Sequence, residues 1–130
     1  MTIESALYSR LSTEATDLYA LVAARVYPVR FPQNPTFPCV TWQRIFAGRE
    51  NAMGSDAPPV RVRIQVDGWA ETFDGVRSLA EALRERLQRW RLSGADTVQD
   101  TFLISEHDEY DDEAEIYRVM FEIELIYDEA

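Results

Sequence analysis

Residues 60–90 read VRVRIQVDGWAETFDGVRSLAEALRERLQRW, and this stretch decides the fold. Its first part alternates. Val60, Val62, Ile64 and Val66 point one way, and Arg61, Arg63, Gln65 and Asp67 the other. A period of two marks a strand with one buried face. In the second part Phe73, Val76, Leu79, Ala80, Leu83, Leu87 and Trp90 recur at helical spacing and make one apolar stripe. Thr72 caps this helix, Asp74 suits its first turn, Arg89 and Arg91 suit its last, and Gly94 closes it. The expected helix is 72–91. A one-faced strand running into a one-faced helix is half of a two-layer sandwich, so the remaining segments must complete it.

Upstream, Ile3, Ala6, Leu7 and Leu11 share one face of a first helix. Ala15, Leu18, Leu21 and Val22 mark a second, shorter helix. Pro28, Pro32, Pro35 and Pro38 forbid helix between them and favour an extended connection. Residues 39–47 read as a strand with Val40, Trp42 and Phe46 on one side and Thr41 and Gln43 on the other, interrupted by Arg44. Residues 48–59 (GRENAMGSDAPP) read as a loop, long enough to be expected mobile until the protein assembles. Downstream, 98–107 reads as a strand with Phe102 and Ile104 on one face. Residues 106–115, EHDEYDDEAE, read as an acidic hairpin link in which seven of ten residues are acidic. Residues 116–127 form the last and strongest strand. The expected architecture is an α+β two-layer sandwich: a largely antiparallel sheet of about four main strands with helices packed on one face, in a single domain over 1–130.

The chain has 23 acidic and 13 basic residues and a net charge of −10, and every basic residue is arginine. That balance disfavours gripping a phosphate backbone. It suits a surface that lines a path for DNA without binding it. One cysteine excludes an internal disulfide and fits a reducing compartment. No apolar run reaches the length of a membrane span, and the N-terminus lacks a signal-peptide pattern.

Residues able to carry chemistry are sparse. Asp108, Asp111, Asp112 and Glu113 are oxygen ligands by type, but no glycine follows Gly94 to make the turn of a calcium loop. No metal or other cofactor is expected. Cys39 and His107 lie in no nucleophile motif, and the glycines form no phosphate loop. No catalytic residue is expected. Interaction is favoured over catalysis, with Arg49, Arg61, Arg63, Arg84, Asp108 and Asp111 as candidate residues of a subunit or partner interface. Arg61 and Arg63 carry most weight, because a sheet with one face under helices often uses the other for a partner.

Ordered pieces along nearly the whole chain carry a resemblance: IESALYSRL, RVYPVRFPQ, FPCVTWQRI, the 60–87 stretch, and ISEHDEYDDEAEIYRVMFEIEL. Together they resemble the tail completion proteins, or tail terminators, of long-tailed bacteriophages. The resemblance implies a homo-oligomeric ring, commonly of six subunits, at the head-proximal end of the tail tube. Its implied partners are other copies of itself, the tail tube protein and the head connector or stopper, with DNA passing through the ring. It implies a place at the head–tail junction of the virion after assembly in the host cytoplasm, and no membrane. Within the same class the alternative is a head-side connector, stopper or tube-like subunit. In another class it is a small metal-dependent enzyme using residues 106–115.

Overall fold

A computed structural model of the chain describes residues 3–49, 60–93 and 98–128. Helices α1 (Ile3–Leu11) and α2 (Asp17–Val22) come first, then strands β1 (Val26–Pro28), β2 (Cys39–Arg49) and β3 (Val60–Ala70). Helix α3 (Phe73–Leu87) follows, then β4 (Val98–Asp111) and β5 (Ile116–Tyr127). One five-stranded sheet has the order β1-β2-β3-β5-β4. It is antiparallel except where the short β1 lies parallel to β2. This is the expected α+β sandwich with one strand more, because a three-residue strand has too few positions to display a period.

The alternation in β3 becomes burial. Val60, Val62, Ile64 and Val66 are buried against the helices, and Arg61 and Arg63 are exposed on the opposite face. Val76, Leu79, Ala80, Leu83 and Leu87 of α3 meet them, joined by Ile3, Leu7 and Leu11 of α1 and Leu18 and Val22 of α2. Gly68 allows the approach. It keeps register with both neighbouring strands, and an added Cβ would stand 2.7 Å from Leu79 Cδ2 and 3.0 Å from Val119 Cγ1. Its role is close helix-to-sheet packing, in place of a bulge or exit.

Several boundaries differ from expectation. Helix α3 stops at Leu87, with Gln88 as its cap and Arg89 at φ 59°, because the chain turns back to meet β4. Arg89 N–H donates to the Thr101 carbonyl (2.9 Å), and the Gln88 side chain accepts from Leu103 N–H (3.1 Å). Trp90 is buried beyond the helix, while Phe73 is 53% exposed and packs edge-on against Tyr117. Gly94, the expected closing residue, lies outside the described residues. The β2 strand runs on to Arg49, taking in the first two residues of the expected loop, and residues 50–59 lie outside the described set.

A bulge at Ile45 corrects the facing of β2. Arg44 stands opposite Ile64 and Phe46 opposite Arg63, so Arg44 shares the helix side and Phe46 the other. Arg44 there forms an ion pair with Glu4 of α1. A bulge between Leu103 and Ser105 likewise removes Ile104 from the face of Phe102. The acidic run is mostly strand. β4 continues through Asp111, leaving a tight turn whose Glu113 and Ala114 N–H groups donate to Asp111 Oδ1.

Two arginines lock the helix ends. Arg10 Nε donates to the Arg86 carbonyl (2.7 Å), and Arg86 Nε returns a bond to the Arg10 carbonyl (3.2 Å). Each satisfies a carbonyl that a helix C-terminus leaves open. Burial lowers the pKa of Arg10, and the neighbouring Arg86 charge lowers it further.

Leu83 is fully buried beneath α3, whereas the adjacent Arg84 reaches outward to Glu106. Leu83→Ala is therefore expected to cost about 2–5 kcal/mol. Arg84→Ala is expected to cost no more than about 0.5 kcal/mol, because it loses only a partly exposed ion pair. Urea unfolding of the two variants checks both, and a larger loss for Arg84→Ala would mean that the helix is rotated from this description.

Candidate functional site

The sheet face away from the helices is the candidate site, and its two ends differ. Four open-face residues of successive strands define the end nearest the strand β3 terminus: Thr41, Asp67, Trp69 and Arg118. Asp67 is only 5% exposed although it lies on the polar side of β3. Arg118 Nη2 donates to Asp67 Oδ2 (2.8 Å), and Gln65 Nε2 donates to both Asp67 oxygens (3.1 and 3.0 Å). The Arg118 guanidinium lies over the Trp69 ring, with Cζ 4.8 Å from its centroid. Glu109 of β4 approaches the other side of Arg118 at 3.7 Å. Trp69 Nε1 donates to Thr41 Oγ1 (2.9 Å). A buried carboxylate is tolerated only with such partners. Among the described residues Arg118 Nε finds no hydrogen-bond partner, and the ring beneath supplies cation–π contact in its place.

The proline-rich segment 29–38 seals this end. Phe31 packs edge-on against Trp69 (5.1 Å between centroids) and against Phe37 (5.6 Å). Arg25 Nε holds the Pro38 carbonyl at 3.0 Å. Two shallow cavities flank the Trp69–Arg118 pair. One, of about 290 Å³, lies toward Glu109 and Asp111, and the other, of about 260 Å³, toward Arg30, Phe31 and Gln43. Cys39 is fully buried, and burial pushes its thiol up to about 12 against a smaller opposing effect of Arg25. A thiol so disfavoured as thiolate is no nucleophile at neutral pH.

Among the described residues the other end of the face is open. Phe46, Arg63, Glu124 and Phe102 lie in one row across β2, β3, β5 and β4. Arg61 reaches Glu124 at 3.9 Å, and Arg89 lies over Phe102 at 5.0 Å. Opposite charges thus face one another across the central strands, with an aromatic ring at each side.

Over the helix side of β4 runs a ladder of ion pairs. Arg77 reaches Glu106 (3.0 Å) and Asp108 (2.9 Å), and Arg84 also pairs with Glu106. The acidic run is thereby divided by strand alternation. Glu106 and Asp108 turn toward α3, Glu109 stands on the open face with Arg118, and Asp111 holds the turn. Among the described residues no group of three or more His, Cys, Asp or Glu is placed to hold a metal.

The family model described as Tail completion protein gp17 matches residues 5–128, nearly the whole chain. The chain belongs to the tail completion protein family. It is thus a structural protein of phage-like virions. Among solved structures, a chain of the "Virion of native gene transfer agent (GTA) particle" has a TM-score of 0.73 at 15% identity, covering 97% of this chain and 94% of that one. That likeness shows a shared fold. No curated protein matches in sequence.

In this tail completion protein the candidate interface residues fall into two groups. Arg61 and Arg63 stand exposed on the open face, and Arg49 ends β2 beside them in the sheet. Arg84 and Asp108 both belong to the ladder between α3 and β4, Arg84 through Glu106 and Asp108 through Arg77, and Asp111 caps the turn beyond it. Sequence reasoning missed the Asp67–Arg118–Trp69 cluster. Arg118 lies far along the chain from Asp67 and Trp69, and only the pairing of Trp69 with Arg118 brings the three together. The one available signal was an acidic residue and a tryptophan two apart around Gly68.

Two measurements test these contacts. Asp67→Ala leaves the partly buried Arg118 with Glu109 as its one carboxylate among the described residues, and is expected to cost about 1–3 kcal/mol in urea unfolding. A loss below about 0.5 kcal/mol would mean that Asp67 is not needed to anchor Arg118. For Glu106, burial raises the carboxyl pKa, but the hydrogen bonds and charges of Arg84 and Arg77 outweigh it, and the net shift is downward. A depressed carboxyl stabilises above its unfolded value of about 4.3, and that stability is lost as pH falls through the folded value. NMR titration should find Glu106 below the usual glutamate range, and Arg84→Gln should move it back up.

Proposed function

We propose that this chain is a non-enzymatic subunit of a homo-oligomeric ring of six copies at the head–tail junction. The ring caps the head-proximal end of the tail tube and joins it to the head connector or stopper. Family membership over residues 5–128 carries this proposal. Three features of the chain support it. Its sheet has a basic corner, with Arg61 and Arg63 on the open face, and an acidic strand β4 at the opposite edge. Different patches on one subunit are what a cyclic, head-to-tail contact requires. The net charge of −10 suits a ring through which DNA passes without adhering. The polar clusters are engaged in holding the fold, as the pairing of Asp67 with Arg118 illustrates.

Electron microscopy of tail tubes polymerised with and without the protein tests the function. With it, tubes should carry a cap at one end and stop at a defined length. Uncapped tubes that grow on in its presence would overturn the proposal.

A further inference from the structure

Among the described residues the sheet has two open strand segments, and they are complementary. On one side β1 covers β2 only at Val40, Thr41 and Trp42. Residues 43–49 of β2 beyond it pair with β3 alone among the described residues. On the other side the turn after α3 covers the start of β4, through Arg89 on Thr101, Gln88 on Leu103, and the Leu92–Val98 bridge. Residues 104–111 of β4 then pair with β5 alone among the described residues. Unpaired strand edges of this length are templates for another strand.

Their chemistry is opposite. The stretch 43–49 holds two arginines and no acid, and Arg61 and Arg63 stand on the adjacent strand. It also exposes Ile45 (49%) and Phe46 (57%). The stretch 104–111 holds four acids and no arginine, and exposes Ile104 and Tyr110. Pairing like with like would set acid against acid or arginine against arginine, which costs stability.

We propose that neighbouring copies join edge to edge, with 43–49 of β2 in one copy pairing with 104–111 of β4 in the next. This rests on the ring proposed above and names its contact. β2 and β4 run in opposite directions within the sheet, so copies related by a rotation bring them together antiparallel. The sheet faces then continue from copy to copy. On the helix side Arg44 meets the row of Asp108, and on the open side Phe46 and Arg63 meet the row of His107 and Glu109. The stagger also fits closure. Phe46 lies level with Arg63 and His107 with Asp67, a step of four residues along β3. That step of about 14 Å over four strands about 4.8 Å apart is a slope of about 35°, within the tilt at which sheets close on themselves.

Disulfide trapping tests this on the full chain, alone and bound to tail tubes. Phe46→Cys is combined with His107→Cys or with Glu109→Cys, all open-face positions, and Phe46→Cys with Asp108→Cys serves as the opposite-face control. Within one subunit β3 and β5 separate these positions, and the native Cys39 is fully buried. At least one open-face pair should give, on mild oxidation, a ladder of covalent oligomers ending at the ring size, and the control should give none. Rings seen by native mass spectrometry without a ladder from either pair would overturn the edge contact and leave the ring standing. Dimers from a single-cysteine variant would mean like-with-like pairing, and cross-links to a tail protein would give the edge another occupant; either overturns the proposal. Wild-type protein that forms no ring even on tail tubes would overturn the ring and the contact together.

Discussion

The seating of α3 on β3 is the constraint on which the rest depends. Leu79 occupies the space above Gly68 that any other side chain would fill. Around that contact Val76, Leu83 and Leu87 bury against Val62, Ile64 and Val66. A sheet whose apolar side chains are spent on one layer of helices must resolve its other face with polar groups or with a partner. In this chain it does both, at opposite ends of the same strands.

At one end the face is closed by its own chain. The segment 29–38 lays Phe31 on Trp69, and the Asp67–Arg118 pair is held beneath it. Burying a carboxylate is costly, and the cost is offset by two side chains that donate to it and by the tryptophan that receives the guanidinium. At the other end no strap among the described residues covers Arg61 and Arg63, and the aromatic rings of Phe46 and Phe102 stand at the margins of the row. An apolar ring beside exposed arginines is a poor surface for water and a good one for a protein.

The acidic run illustrates how a strand distributes charge. Seven acids in ten residues look like a single patch in the sequence. Strand alternation sends Glu106 and Asp108 to the arginines of α3 and Glu109 to Arg118, while Asp111 holds the turn. The run therefore fastens both layers of the fold at β4. Its surplus charge also keeps that edge from pairing with a copy of itself.

The sequence by itself determined the α+β class, the buried face of β3, the stripe of α3 and the long final hairpin. Each rests on local periodicity, and periodicity is set by backbone geometry that neighbours in the chain share. Residue patterns along the chain also sufficed to suggest the tail completion family. Tertiary structure decided what periodicity cannot encode. The bulge at Ile45 turned Phe46 to the open face, because one extra residue reverses every side chain after it. The end of α3 at Leu87 was set by the β4 backbone groups that Gln88 and Arg89 satisfy, and not by a glycine. Gly68 gained its packing role only once Leu79 arrived from the next element. The burial of Asp67 required Arg118, fifty-one residues away, to be brought beside it by strand pairing. Contacts between distant residues are selected by the packing of whole elements, so no window of sequence contains them.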